Sequence, residues 1–432
     1  NVNGSVGKEE MRGSDFANVL NGRQGDDVLL GYGGDDTLNG GEGNDFLRGG
    51  IGADLMDGGN GVDWISYTEY RDANLSSIID LRSGTGTGGI AEGDQYRNIE
   101  NVNGSVGKEE MRGSDFANVL NGRQGDDVLL GYGGDDTLNG GEGNDFLRGG
   151  IGADLMDGGN GVDWISYTEY RDANLSSIID LRTGTGTGGV AEGDQYRNIE
   201  NVNGSVGKED MRGSDFANVL NGRQGDDVLL GYGGDDTLNG GEGNDFLRGG
   251  IGADLMDGGN GVDWISYTEY RDANLSSIID LRTGTGTGGV AEGDQYRNIE
   301  NVNGSVGKEE MRGSDFANVL NGRQGDDVLL GYGGDDTLNG GEGNDFLRGG
   351  IGADTLIGGT GSDTFFFSSV ANNDIIQDFE DGIDVIEFSD VLLSDLSFSD
   401  SGADAVISYL GQSITLKDFD VDLLLADDFR FA

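Results

Sequence analysis

The chain has 432 residues, with 80 acidic and 27 basic side chains and a formal net charge of −53. That balance excludes nucleic-acid binding through a basic patch and charge-driven adhesion to an anionic membrane. The absence of cysteine and histidine leaves no disulfide framework, no thiolate or imidazole metal site and no His-based triad, and with 86 glycines and no proline the cation-free chain has the makeup of a disordered polymer.

From residue 4 to residue 66 the sequence tiles into seven nonapeptide rows without a slip, beginning at Gly4, Gly13, Gly22, Gly31, Gly40, Gly49 and Gly58. The last three read GGEGNDFLR, GGIGADLMD and GGNGVDWIS. Position eight is always a large apolar residue: Met11, Leu20, Leu29, Leu38, Leu47, Met56, Ile65. Position six is acidic except for Asn18, and Glu9 replaces Asp in the first row. Such glycine density rules out a helix, since each interior glycine costs about 1 kcal/mol relative to alanine. A turn followed by a three-residue strand, with position eight pointing inward, suits the row instead. Two rows make one flattened coil, and stacked coils place aspartate on aspartate along both turn edges. At ~4.8 Å per layer those carboxylates repel unless a cation sits among them. Carboxylates with turn carbonyls form an all-oxygen site, which suits Ca²⁺ before Mg²⁺.

These rows resemble the RTX (repeats-in-toxin, hemolysin-type) calcium-binding nonapeptides, a β-helix repeat. The resemblance implies parallel β-rolls with multiple Ca²⁺ ions held between turns by the position-six aspartates and backbone carbonyls. Carried over row by row, the metal ligands are Asp27, Asp36, Asp45, Asp54 and Asp63 in the first roll. Their counterparts are Asp127, Asp136, Asp145, Asp154 and Asp163; then Asp227, Asp236, Asp245, Asp254 and Asp263; and Asp327, Asp336, Asp345, Asp354 and Asp363. Glu9 and Asn18 depart from the pattern, so their rows are not expected to form full sites.

Residues 1–100 recur almost verbatim at 101–200 and 201–300, and the fourth copy departs after Asp354. The fold class expected is all-β: tandem parallel β-rolls, a β-solenoid, with a C-terminal β cap. The units expected are 1–66, 67–166, 167–266 and 267–366, each later one opening with linker strands, and a cap with secretion signal at 367–432.

Residues 67–103 break the nonapeptide phase. They hold a strand candidate at residues 77–81, a turn-like stretch from Ser83 to Gly89, and a strand-like run at 96–102. In roll phase, Glu100 falls at position six and Val102 at position eight, so this run reads as a degenerate row opening the next roll. Asp94, in Glu-Gly-Asp just before that run, is expected to be a further ligand, with Asp194 and Asp294; Asp80 and Glu92 are either ligands or solvated loop carboxylates. Position seven of alternate rows lines Val28, Phe46 and Trp64 on an outer face, an apolar stripe that either the 67–103 segment covers or self-association buries. Covering is the expectation, because every copy of the repeat carries both parts.

Past Asp363 the pattern changes to alternating strands at 373–379 and 384–388, and then to a hairpin. Its expected strands are 405–410 and 413–416, joined by a Gly411-Gln412 turn. The ending, residues 426–432, resembles the acidic–aromatic terminus of type I (ABC) secretion substrates, which implies an exporter as partner. A start in mid-array without a methionine suggests the end of a longer chain, and neither a signal peptide nor a membrane-spanning apolar run is evident.

Three functional classes follow. First is a secreted, calcium-binding structural or adhesive repeat protein, a rod on a cell surface or in a matrix that folds outside the cell. It would meet surface or matrix components, or copies of itself. Second is the calcium-dependent folding and secretion region of an enzyme or toxin whose catalytic domain lies before Asn1. Third, an enzyme within these residues, is set aside, because no nucleophile–base arrangement stands out from the repeating carboxylates.

Overall fold

The computed structural model describes residues 1–369 and 372–431; Val370, Ala371 and Ala432, the last belonging to the C-terminal ending noted above, lie outside the described residues. Two compact units, Asn1–Gly213 and Ser214–Ala432, are built alike. Each is all-β, a coil of parallel strands alternating between two facing sheets, with helix confined to single 3₁₀ turns such as Gly89–Ala91. Among the described residues no helix is long and apolar enough to cross a membrane.

The period of nine sets the architecture. One sheet of the first unit stacks Val19–Gln24 on Thr37–Glu42 and Leu55–Asn60, with Leu20 opposite Leu38 and Leu38 opposite Met56. The other stacks Glu10–Ser14, Val28–Gly33, Phe46–Ile51 and Trp64–Ser66, bringing Met11, Leu29, Leu47 and Ile65 into line. Partners are eighteen residues apart, two rows, so position eight always returns to the same file. These files are the core: Leu20, Leu29, Leu38, Leu47 and Ile65 are fully buried. Strands are longer than the three residues expected. Most run six residues, on into the first positions of the next row, where the ladder continues: Arg23 pairs with Gly41 and Gln24 with Glu42.

The 67–103 segment adds strands to the coil. Gln95–Arg97 continues one sheet from Leu55–Asn60, and Asn101–Asn103 continues the other from Trp64–Ser66. Between them an antiparallel pair, Ser76–Asp80 and Thr85–Thr87, is spliced beside Gln95–Arg97 and hands the sheet to Lys108–Arg112. The Thr85–Thr87 strand lies within the stretch expected to be a turn; the chain reverses at 81–84, and Gly86 is buried under Tyr96, where a Cβ would meet the tyrosine hydroxyl. The Val28–Phe46–Trp64 stripe forms in register and is half-buried. Residues 68–70 clamp its margin: Arg48 bonds Thr68 Oγ1 at 2.9 Å and Glu69 at 3.0 Å, and the Tyr70 hydroxyl bonds the Gly50 carbonyl.

Seven nonapeptide rows, the insertion at 76–97 and the short row Asn101–Asn103 make nine successive half-turns, an odd number. The second copy therefore lies in the opposite register of sides. Glu10–Ser14 shares a sheet with Trp64–Ser66, whereas its copy Lys108–Arg112 continues the sheet of Leu55–Asn60. The same exchange occurs within the second unit between Val228–Gly233 and Val328–Gly333.

The C-terminal strands close the coil. Asn373–Ile376 stacks on Thr355–Thr360 and receives Gln412–Leu416, while Val385–Phe388 stacks on Thr364–Phe367 and receives Phe429–Phe431. The hairpin turns one residue earlier than expected. Tyr409 pairs with Gln412 across Leu410 (φ 47°) and Gly411 (φ 85°), both left-handed, as a tight antiparallel reversal demands. Phe388, stacked on Phe431 at 5.9 Å and edge-on to Tyr409 at 5.2 Å, centres the aromatic plug.

Candidate calcium ladders

Each row brings its position-six residue, a carboxylate in all but the Asn18 rows, to the start of a strand at the turn edge. The main-chain N–H of each residue at this position donates to Oδ1 of the aspartate two rows on: Glu9 to Asp27 at 2.7 Å, Asp27 to Asp45 at 2.7 Å, Asp45 to Asp63 at 2.6 Å. The opposite edge repeats this from Asn18 to Asp36 and from Asp36 to Asp54. One oxygen of each aspartate is thus spent on the backbone, and the other is not. Oδ2 is buried with no hydrogen-bond partner in Asp27, Asp36, Asp45, Asp54 and Asp63. The same holds in the second copy for Asp127, Asp136, Asp145, Asp154 and Asp163, and in the fourth for Asp327, Asp336, Asp345, Asp354 and Asp363. In the third copy Asp236, Asp245, Asp254 and Asp263 behave alike, and Asp227 donates its N–H to Asp245 at 2.8 Å.

Glycine at position one makes room for these oxygens. A Cβ at Gly22 would collide with Asp27 Oδ2 and with the Gly40 carbonyl oxygen, and one at Gly40 with Asp45 Oδ2 and the Gly58 carbonyl. Carboxylate and carbonyl oxygens converge where no side chain is tolerated. Among the described residues no three acidic side chains cluster as a carboxylate cage; the donor set is one carboxylate per row with backbone carbonyls, as a hard cation accepts. Burial, reinforced by neighbouring carboxylates, pushes Asp127 up to about 8 and Asp54 and Asp63 up to about 7. A buried carboxylate oxygen without a partner is costly, and a divalent cation supplies what is missing. The residues present fit calcium: the position-six aspartates would hold it, and the ion would supply charge neutralisation and cross-links between rows.

The insertion carries the ladders across each junction. Asp94 takes the position-six place opposite Asp54, whose N–H it accepts at 2.9 Å, and Glu100 takes that opposite Asp63, at 2.8 Å. Asp94 differs from the row aspartates in one respect: its Oδ2 accepts the Tyr67 hydroxyl at 2.6 Å, and Tyr67 also meets the Tyr96 hydroxyl at 2.8 Å. Asp194 accepts likewise from Tyr167 and Asp294 from Tyr267, each at 2.7 Å, and those hydroxyls meet Tyr196 and Tyr296. Asp80 faces Arg112, its Oδ2 3.4 Å from Nη1, and Glu92 accepts the Gly88 N–H at 2.7 Å. Glu109 is self-contained, bonded through both oxygens to Ser105.

Two carboxylates missed from the sequence end the ladders. Asp374 and Asp384 accept the N–H groups of Asp354 and Asp363, each at 3.0 Å, and both are buried. The signal lay in the second half of the row: Asp374-Ile375-Ile376 and Asp384-Val385-Ile386 keep positions six to eight after the glycines have gone.

The pattern defining the RTX calcium-binding nonapeptide repeat (four copies) matches overlapping stretches that together span residues 3–65, 103–165, 203–265 and 303–365. No curated protein matches the chain. Among solved structures, the extracellular lipase LipA from Serratia marcescens aligns at 22% identity over 52% of this chain, with a TM-score of 0.26. The chain spans 40% of the length of that lipase. With the matched rows covering more than half of its residues, the chain belongs to the RTX calcium-binding nonapeptide repeat family.

Proposed function

We propose that this chain is a non-enzymatic, secreted repeat protein with a structural or adhesive role, whose rolls fold on calcium outside the cell into a stiffened surface or matrix element. The observation that carries the reading is the file of buried, partnerless Oδ2 atoms, which recurs from copy to copy and makes no copy special. Calcium at the about 10⁻⁴–10⁻³ M affinity of extracellular modules would leave the chain unfolded in the cytoplasm and folded outside. The acidic–aromatic ending supports a type I exporter as partner.

Circular dichroism tests the coupling. In chelator the full chain is expected to be mostly disordered, and titration with Ca²⁺ to restore the β signal; equal β content in both conditions would refute it. For the exporter, removal of residues 421–432 is expected to abolish export from a host carrying a type I system, and undiminished export would exclude the ending as the signal.

A further inference from the structure

Position two of the nonapeptide has left-handed backbone, as at Gly41 (φ 122°) and Gly50 (φ 107°). Arg123 (φ 83°) and Tyr132 (φ 76°) adopt it without being glycine, a strained choice that calls for a reason. Tyr132 has one: the Arg82 guanidinium lies over its ring at 4.5 Å. Arg123 is different. Its Nη1 reaches only the carbonyls of Gly104 and Ser105, at 3.5 Å each, and it opens onto a cleft of about 390 Å³. The cleft is lined by Thr68, Arg71, Ala73, Val106 and Gln124 as well, so two guanidinium groups from separate elements share it.

Neither arginine forms an ion pair among the described residues, although the charge of Arg123 is felt by the buried Glu109. Arg48 and Arg112 are ion-paired, whereas among the described residues Arg71 and Arg123 have no carboxylate partner. The nearby acids are engaged elsewhere: Asp72 accepts both amides of Asn74, Glu142 accepts Gln124 Nε2 at 2.8 Å, and Glu109, which lies within the electrostatic reach of Arg123, is bonded through both oxygens to Ser105. The second unit holds the same cleft between Arg271 and Arg323 (φ 82°), about 610 Å³, with Glu342 on its rim bonded to Gln324. Each cleft thus brings together two guanidinium groups without an ion pair, in a chain that has only 27 basic residues against 80 acidic ones.

We propose that this cleft is an oxyanion site, in which Arg71 and Arg123 hold a carboxylate or sulfate group through charge-assisted hydrogen bonds, with Thr68 and Gln124 as further donors. Guanidinium forks match planar carboxylates and tetrahedral oxyanions bidentately. An anionic ligand in free solution and an acidic saccharide present the same group. The site stands whether or not the chain serves as a structural element.

The test uses the full calcium-loaded chain, with sulfate, galacturonate and galactose titrated separately at constant ionic strength by isothermal calorimetry. Saturable binding of sulfate or galacturonate, without binding of galactose, is expected; galacturonate alone would assign a saccharide carboxylate, and both a general oxyanion. The decisive variant is Arg123→Gly with Arg223→Gly and Arg323→Gly. It restores the residue that the backbone favours, so calcium-dependent folding is expected to be retained while affinity falls about tenfold or more. Arg71→Ala with its two counterparts should weaken binding equally. Binding that survives in the glycine variant, galactose binding as well as galacturonate, or no saturable binding of either anion would overturn the proposal.

Discussion

Asn118 shows what a neutral side chain does in the ladder. Its Oδ1 accepts the Ser114 N–H at 2.6 Å and its Nδ2 donates to the Glu100 carbonyl at 2.7 Å, so both ends are satisfied without a cation. Asp136, the next carboxylate on that edge, accepts the Asn118 N–H through Oδ1 and leaves Oδ2 bare. Exchanging aspartate for asparagine therefore replaces an oxygen that needs a cation with a donor that finds its own acceptor. Changing Asp36, Asp136, Asp236 and Asp336 to Asn is expected to lower the calcium bound per chain in equilibrium dialysis. It should also reduce calcium-loaded stability by about 1–3 kcal/mol per site, leaving the chelated chain no less folded. The same change at Asp94, Asp194 and Asp294 is expected to leave bound calcium unchanged, because the Tyr67 hydroxyl already occupies Oδ2 of Asp94. Loss of calcium from that set would mean that a cation competes for this oxygen.

Rows were legible throughout and the insertion only in part, for a reason visible in particular residues. A nine-residue phase announces itself: Leu20, Leu38 and Met56 fall eighteen apart, and the structure stacks them. Glu100 and Val102 kept enough of that phase to be placed correctly. The Thr85–Thr87 strand is hidden among glycines whose spacing matches a turn as well as it matches a strand, and its partner Ser76–Asp80 lies across a reversal that no period marks. Asp94, expected from its place before the strand-like run to be a ligand, does take a position-six place in the ladder, but its second oxygen is answered by Tyr67, twenty-seven residues away, a pairing that only the fold creates. Tyr67, Tyr96 and Asp94 form a buried knot joining the end of one roll to the insertion. Tyr67→Phe, with Tyr167→Phe and Tyr267→Phe, removes the donor and leaves a buried acceptor unmet, so each junction is expected to lose about 1–3 kcal/mol in calcium-saturated denaturation. An unchanged midpoint would mean that water reaches Asp94. The half-buried stripe is predicted to act within the coil: Trp64→Ala, Trp164→Ala and Trp264→Ala together should lower that midpoint while leaving the sedimentation profile unchanged. A change confined to sedimentation would assign the stripe to assembly.

At the scale of the whole chain, charge rather than apolar burial decides whether the coil can stand without metal. The core files are thin, one residue per row, and the ladders place carboxylates in buried positions on both edges. In the metal-free coil, burial holds Asp127 and Asp136 at about 8 and Asp54 and Asp63 at about 7, against about 3.9 in an unfolded chain. A carboxyl group raised on folding binds more protons folded than unfolded between those two values. Its penalty is absent below the lower one, grows as pH rises through the window, and is complete above the upper one. Protons and calcium are thus alternative neutralisers of the same oxygens: each alone favours the coil, and each competes with the other for the site. In chelator, lowering the pH from 8 to 5 is expected to restore part of the β signal that calcium restores at pH 8, with light scattering used to separate folding from precipitation. In calcium, the same descent is expected to move the folding midpoint to higher calcium concentration, because bound metal must displace the proton. A chelated chain equally disordered at pH 8 and pH 5 would show that cross-linking between rows by the divalent ion, and not removal of charge alone, is what makes the coil fold.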